Sequence, residues 1–491
     1  MKIETSRIRR MGTLLLATAL VAGIGVTHAA DPLVQLLEVL RKRGSITEAE
    51  YQNLKKSAGN APATTGNFKS LEQRLIEQAG KVEKLEADVT SQASMNQKLS
   101  ENFESSIGQA VDDKLDGKWF TNVKLSGYTQ FRYTSLMDDD GAVLNVGNDG
   151  SASDPESFRV RRGRLKFSGD VAERVYLYAQ VDLASSAGRN GSFALQMRDL
   201  YGDIALTEDK EYRLRFGQSK VPYGFVNLQS SQNRPTLERA DGINSAAENE
   251  RDLGAYLMWA PTHIRARFKE LKKLGLKGSG DYGAVAVGVH NGQGPNRNDN
   301  NGGFHTVARV SYPFKLENGQ FIEPGIQAYH GQFRVNTADT TGAGTAPAAA
   351  ADGTVDQRVG VSLVYYPQPW GFEGEWNIGR GPALTPDATT VNSSFLHGGY
   401  LMTYYKWDNQ RYGRLFPFAR WNYYDGGRKF ANNAPDEVVN EIDFGFEWSP
   451  WKATELVVQY TKTLERSNTR TFPYRSTTNA DRIGVQLQIN Y

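Results

Sequence analysis

Over most of the chain apolar and polar residues alternate one by one. In the last segment Ile483, Val485, Leu487, Ile489 and Tyr491 interleave with Gly484, Gln486, Gln488 and Asn490, a period of two that gives a strand one oily and one wet face. Val175, Leu177, Ala179, Val181 and Leu183 do the same against Tyr176, Tyr178, Gln180 and Asp182, as do Ile442, Phe444, Phe446 and Trp448 against Asp443, Gly445 and Glu447. Sixteen such segments start near residues 121, 157, 173, 192, 211, 250, 281, 302, 321, 355, 369, 394, 412, 437, 453 and 479. Long polar loops fill about 136–156, 220–249, 334–354, 380–393, 426–436 and 466–478, whereas short turns such as Thr207-Glu208-Asp209-Lys210 and Asp408-Asn409-Gln410 follow the even strands. Only 261–280 breaks this rule. The pattern predicts an all-β transmembrane β-barrel of sixteen antiparallel strands over 118–491, with short turns and both chain ends on the periplasmic side. Closure is required because unpaired amides in hydrocarbon cost several kcal/mol each, so a sheet that crosses lipid has no edges. Sixteen strands leave room for a water-filled channel. A soluble propeller or a pair of sandwiches is the competing all-β reading; the asymmetry of loop lengths and an outward face that stays apolar to Tyr491 speak against it.

The N-terminal part follows other periods. Arg7, Arg9 and Arg10 precede an apolar run from Met11 to Val26 and the small residues around Ala29-Ala30, which reads as a secretory signal peptide over 1–30, an uncleaved anchor helix being the alternative. Residues 31–58 predict a short helical pair: Leu33, Val34, Leu36, Leu37 and Leu40 form one stripe, Gly44 a stop, and Thr47-Glu48-Ala49-Glu50 a capping box. Residues 59–67 have linker chemistry. From there a seven-residue beat places Phe68, Leu75, Val82, Val89, Asn96 and Phe103 at a, and Leu71, Gln78, Leu85, Gln92 and Leu99 at d. This predicts a periplasmic coiled-coil stalk over 68–117 and hence a homo-oligomer, with Asn96 as a register-fixing layer. A lone solvated helix or a spacer is the other reading of the same stretch.

Composition narrows the function. Lys and Arg number 57 and Asp and Glu 55, for a net charge of +2, so the chain offers no overall basic field for nucleic acid. It has no cysteine, which removes disulfides, thiol nucleophiles and cysteine metal sites together. His263, His290, His305, His330 and His397 fall one per segment without metal-binding spacing, and no phosphate loop or nucleophile elbow is present. No cofactor, metal or catalytic residue is expected. Outer-membrane lipid and small solutes are the partners that remain.

Parity then assigns charges to the lumen. With Val123, Leu125, Phe131 and Tyr133 toward lipid, Arg132 points inward; likewise Arg162, Arg164 and Lys166 opposite Leu165 and Phe167, and Arg213 and Arg215 opposite Leu214 and Phe216. Arg198 joins them if Leu195 and Met197 face lipid; the pattern slips afterward, and a bulge is expected near Asp199. These residues form a basic wall suited to phosphate or carboxylate oxygens. The same rule puts Glu373, Glu375, Asp443, Glu447 and Glu455 inside on later strands, which predicts a basic half-cylinder facing an acidic arc, and a transverse field across the pore. Rim positions or salt bridges within the barrel are the alternative for each arginine.

Several separated stretches carry a family resemblance. Arg215-Phe216-Gly217-Gln218-Ser219-Lys220-Val221-Pro222-Tyr223-Gly224-Phe225, Leu237-Glu238-Arg239, Arg251-Asp252-Leu253-Gly254, Phe158 to Leu165, Tyr423-Tyr424-Asp425-Gly426-Gly427 and Phe444 to Trp448 resemble the phosphate-selective porin O and P family of Gram-negative bacteria. The resemblance covers about 121–491 and implies a homotrimeric outer-membrane porin whose third loop folds inward and favours anions. In this sequence that loop carries Lys220, Arg234 and Arg239 beside Glu238, Asp241 and Glu248, a mixed set. The expected function is diffusion of small anions, phosphate or polyphosphate among them. A general or dicarboxylate-preferring pore, and an envelope-organising protein whose stalk reaches peptidoglycan, are the alternatives.

Overall fold

The computed structural model describes residues 37–38, 41–42, 47–59, 65–115, 118–137, 156–184, 194–339, 345–471, 474–477 and 481–491. The chain divides into two units, Met1–Asp116 and Gly117–Tyr491. The expected signal peptide and most of the first helix of the pair lie outside the described residues.

In the first unit, helix α1 (Glu48–Gly59) opens on the capping box. The Thr47 backbone N–H donates to Glu50 Oε2 at 2.8 Å and the Glu50 N–H to Thr47 Oγ1 at 3.3 Å, the reciprocal arrangement that serves two orphan donors of a helix start. Thr47's backbone N–H and then its hydroxyl hold the Glu50 carboxyl below its ordinary pKa. Helix α2 (Thr65–Leu115) runs unbroken for 51 residues. Leu85, Val89, Leu99 and Phe103, all at a or d positions, are exposed along it.

The second unit is a closed antiparallel barrel. Its strands are β1 Lys124–Leu136, β2 Glu156–Ala172, β3 Val175–Ala184, β4 Ala194–Ala205, β5 Tyr212–Lys220, β6 Arg251–Trp259, β7 Val285–His290 and β8 His305–Ser311. They continue as β9 Phe321–Phe333, β10 Thr354–Tyr365, β11 Trp370–Leu384, β12 Val391–Tyr405, β13 Gly413–Gly427, β14 Asp436–Ser449, β15 Thr454–Thr471 and β16 Arg482–Asn490. Each strand pairs with the next, and β1 closes the ring on β16 with Tyr128 opposite Asn490 and Leu136 opposite Arg482. Every start lies within four residues of the position expected from alternation, because the apolar outer face that lipid demands is what sets the period. Leu125, Phe131, Phe216, Val361, Phe444 and Leu487 are exposed on that face.

Three departures from plain alternation matter. Bulges make Arg161, Arg198 and Leu464 the extra residues in the β1–β2, β3–β4 and β14–β15 pairings; the one at Arg198 sits beside Asp199, where the pattern slips. Two stretches expected as long loops continue the ladder instead. β11 and β12 pair as far as Leu384–Val391, and Tyr474–Thr477 folds back on the end of β15, because hairpin hydrogen bonds extend strands where the apolar signal has already stopped. Finally, the long connection at the short-turn mouth contains helix α3 (Thr262–Lys273).

Candidate functional site

The connection between β5 and β6, residues 221–250, turns into the lumen. Its Val226, Leu237, Ala240 and Ile243 pack on Tyr400, Met402 and Tyr404 of β12, Phe416 and Phe418 of β13, and Val457 of β15. Nearer its ends Val221, Tyr223, Ala246 and Ala247 pack on Tyr256, Val307 and Tyr329. Each of the larger aliphatic side chains buried in this way is worth roughly 1.5–3 kcal/mol, so the loop is a fixed bar across the channel. Glu375 of β11 accepts the backbone N–H groups of Phe225 and Val226 at 2.5 and 2.7 Å. Arg358 of β10 donates to Ser245 Oγ at 2.7 Å. Gly242 lies so close to β12 that a Cβ there would stand 2.5 Å from the Gly399 nitrogen.

Glu238 occupies the middle of an arginine cluster. Arg132 Nη1 lies 2.6 Å from its carboxylate, Arg161 Nε 2.9 Å and Arg162 Nη2 3.3 Å. Burial alone would raise the Glu238 pKa, but Arg161, Arg162, Arg132 and Arg234 outweigh it and hold the carboxyl well below the usual range. Parity placed Arg162 in the lumen and overlooked Arg161. The bulge brings both consecutive arginines to the same carboxylate, and a bulge of one residue leaves no mark in hydropathy.

Of the remaining basic-wall residues, Arg164, Arg213 and Arg215 are buried and neutralised by nearby carboxylates, whereas Arg198 and Lys166 meet neutral amides. Arg164 Nε is 2.9 Å from Asp182, Arg215 Nε 2.7 Å from Asp203, and Arg213 Nη2 2.6 Å from Asp281. Arg198 donates to Asn249 Oδ1, and Lys166 to Gln232 Oε1 at 3.1 Å. On the opposite arc Arg420 pairs with Asp443 at 2.7 Å and Lys277 with Glu447 at 2.5 Å, while Arg309 faces Glu323. The charges therefore interleave around the ring. This corrects the expected division into a basic half-cylinder and an acidic arc: Asp182, Asp199 and Asp203 had the lumen parity too, and cross-strand pairing places Asp182 against Arg164 and Asp203 against Arg215, while Asp199 pairs with Arg251.

The loop cations point largely into the loop itself. Lys220, the last residue of β5, gives its three donors to the carbonyls of Asn227, Leu228 and Gln229. Arg234 donates to the Leu237 carbonyl. Arg239 reaches the Val226 and Gln229 carbonyls and pairs with Glu250 at 2.7 Å.

Between the loop and the wall formed by β13 to β16 and β1 lies a cavity of about 30 Å³, space for a few water molecules. Five guanidinium groups line it, those of Arg132, Arg239, Arg420, Arg466 and Arg482, against three carboxylates, Glu238, Asp241 and Glu441. Glu441 is shared, with Arg466 Nε at 3.1 Å and Arg482 Nη2 at 2.9 Å. Asn422, Gln459 and Thr461 add neutral polar atoms. Of the ten residues proposed from sequence, Arg132 and Arg239 border this cavity. Arg420, Arg466 and Arg482 were missed. Arg482 carries the same parity as Gly484, Gln486 and Gln488 and could have been found. Arg420 is flanked on its face by Phe418 and Phe416, inward residues that look lipid-facing until the loop is docked on them. His290 and His305, one on each of the consecutive strands β7 and β8, are cross-strand partners whose rings stack at 5.3 Å, each beside a carboxylate, Asp252 and Asp356.

Comparison with known proteins fits this architecture. A family model described as "Phosphate-selective porin O and P" matches residues 131–491. Similar solved structures include the outer membrane channel DcaP of Acinetobacter baumannii, at 14% identity and a TM-score of 0.48 over 75% of this chain and 97% of that one. The anion-selective porin from Comamonas acidovorans has 10% identity and a TM-score of 0.45 over 75% and 99%. Salmonella typhi OmpF in complex with daunomycin has 12% identity and a TM-score of 0.47 over 75% and 98%. No curated protein matches the sequence. With the family model spanning almost all of the barrel, the chain belongs to the phosphate-selective porin O and P family and is an outer-membrane diffusion channel.

Proposed function

We propose that this channel passes small oxyanions, of which inorganic phosphate is the representative, and that the arginine-lined cavity beside the inward loop is its selective passage. The short-turn mouth faces the periplasm in this reading. The observation that carries it is the lining of the cavity, five guanidinium groups against three carboxylates around about 30 Å³. An ion entering so narrow a space loses most of its water, and forked N–H donors replace it for phosphate or carboxylate oxygens. The three carboxylates keep the attraction moderate, so that an ion that enters can also leave. Adding phosphate to a chloride-conducting channel in a planar bilayer tests this. The current should fall, and R420Q/R466Q should weaken the block; succinate blocking more strongly than phosphate would move the assignment to dicarboxylates, and no block by either would reject it.

A second role is favoured by the exposed Leu85, Val89, Leu99 and Phe103 of α2. In this reading the helix joins copies of the chain, a homotrimer being the expected assembly, and stands in the periplasm within reach of peptidoglycan. Deleting 31–116 should then disturb envelope attachment and leave conductance intact.

A further inference from the structure

The outer face of the barrel is not smooth: over β8 to β12 it carries an open groove of about 680 Å³. Strand register builds it. Thr306, His330, Gln357, Arg380 and Phe395 stand opposite one another in turn across these five strands, and side chains in such a row share a face. The next row toward the short-turn end is Ala308, Ala328, Val359 and Ile378, and the one after it Val310, Ile326, Val361 and Trp376. Val310, Ile326, Val359, Val361, Ile378 and Phe395 are exposed, whereas the chain neighbours Arg309, Gln327, Arg358 and Asn377 are buried, so this face points to lipid. The hollow arises because Thr306, Ala308 and Ala328 are short, while Val359, Ile378 and Phe395 rise beside them.

The row at the long-loop end is polar, and its height gives the reason. At the other end of β11, Phe372 and Trp370 lie beside Tyr365 and Tyr405, an aromatic belt of the kind that marks a membrane boundary. Arg380 follows Phe372 by eight residues on β11. At about 3.3 Å per residue and a tilt of about 40°, that is roughly 20 Å along the barrel axis, near the far edge of an apolar band about 25 Å tall. Arg380 therefore stands where headgroups begin, and the groove runs from it into the hydrocarbon. Its Nη2 donates to the Ser393 carbonyl at 3.4 Å, and among the described residues no carboxylate pairs with it. Gln357 beside it accepts from His330 Nδ1 at 2.9 Å through Oε1, which fixes the side chain and leaves its amide N–H groups as donors. A cation and an amide above an apolar trough are complementary to a lipid with an anionic, oxygen-rich head.

We infer that this groove holds a phosphorylated lipid, its phosphate on Arg380 and Gln357 and an acyl chain over Ala328 and Ala308. With the long loops outside, the orientation read above, the lipid belongs to the outer leaflet. A second copy of the chain covers this face less well, because a flat sheet laid on it leaves the hollow empty and a flexible chain fills it. Native mass spectrometry of the full-length channel in neutral detergent, supplied with diphosphoryl lipid A or with phosphatidylglycerol, tests the site. Lipid A should stay bound to the wild-type channel. About tenfold more should be needed for the same occupancy in R380Q, which loses a charge-assisted bond, and in A328F, which fills the hollow. Both substitutions lie on the outward face, so conductance stays as in wild type. Occupancy equal to wild type in both variants would overturn the site. Loss in R380Q with none in A328F would reduce it to a place for free phosphate, and a lower oligomer mass in either variant would make the face a contact between copies; each result overturns the lipid. Phosphatidylglycerol held in preference to lipid A would overturn the outer-leaflet assignment and the orientation behind it.

Discussion

Arg132 Nη1 lies 2.6 Å from Glu238 Oε1, a bond that joins the first strand of the barrel to the middle of the inward loop. The same carboxylate receives Arg161 and Arg162, so one residue secures the loop against β1 and β2. Removing one partner of such a buried cluster costs about 3 kcal/mol locally. E238Q should therefore loosen this end of the loop and take a negative charge from the passage. Single-channel recording should show a larger, noisier current that is more anion-selective than wild type; an unchanged trace would mean that the apolar contacts hold the loop alone.

The latch has a defined pH dependence. The Glu238 pKa is depressed in the folded channel, so its contribution is complete above the ordinary carboxylate range and is lost only as pH falls through the lower, folded value. Loop-dependent current noise should stay flat from neutral pH down through about pH 4.3, where a free glutamate titrates, and rise below that. Noise that rises near pH 6 would assign the latch to another group.

Arginines at the cavity and arginines in the paired wall should behave differently. R482Q removes a guanidinium that borders the passage, whereas R215Q removes one held against Asp203 away from it. The shift of reversal potential toward cations should be larger for R482Q. Equal shifts would indicate that overall lumen charge, and no local site, sets selectivity.

Gly242 tests the seat of the loop. A side chain there would overlap the Gly399 backbone, and two backbones have no flexible end to give way. G242V should lift the loop from β12 and raise conductance, with the barrel still resistant to mild heating in detergent because its ladders are untouched. Wild-type conductance would show that the loop can shift to accommodate the change.

Much of this was legible in the sequence, and the limits have a common cause. Period-two alternation located the strands because lipid imposes one rule on every outward position, from Leu125 to Leu487. The inward positions obey no single rule. Where the loop docks, Tyr400, Met402, Phe416 and Phe418 are apolar on the lumen side, which hid Arg420 among residues that look outward. The bulge at Arg198 shows in the sequence as a slip of the pattern beside Asp199, whereas those at Arg161 and Leu464 shift parity by one without any compositional sign. Pairing is equally silent: Asp182 and Asp203 were visible, but only strand register shows that they neutralise Arg164 and Arg215. The anomalous 261–280 connection was seen as an exception; its crossing to Glu447 is a tertiary fact.

Helix α2 makes its own prediction. L85D/L99D places charge at two exposed d positions of α2, which should reduce the oligomer mass in native mass spectrometry of detergent-solubilised protein while leaving single-channel conductance as in wild type. An oligomer of unchanged mass would place the contacts between copies on the barrel.

The central claim is that the net positive lining beside the inward loop makes this an anion pathway. Zero-current potential across a planar bilayer separating two concentrations of potassium chloride measures this most directly. The account predicts a potential of the sign set by chloride, reduced in R420Q/R466Q; a potential of the sign set by potassium in the wild-type channel would contradict it.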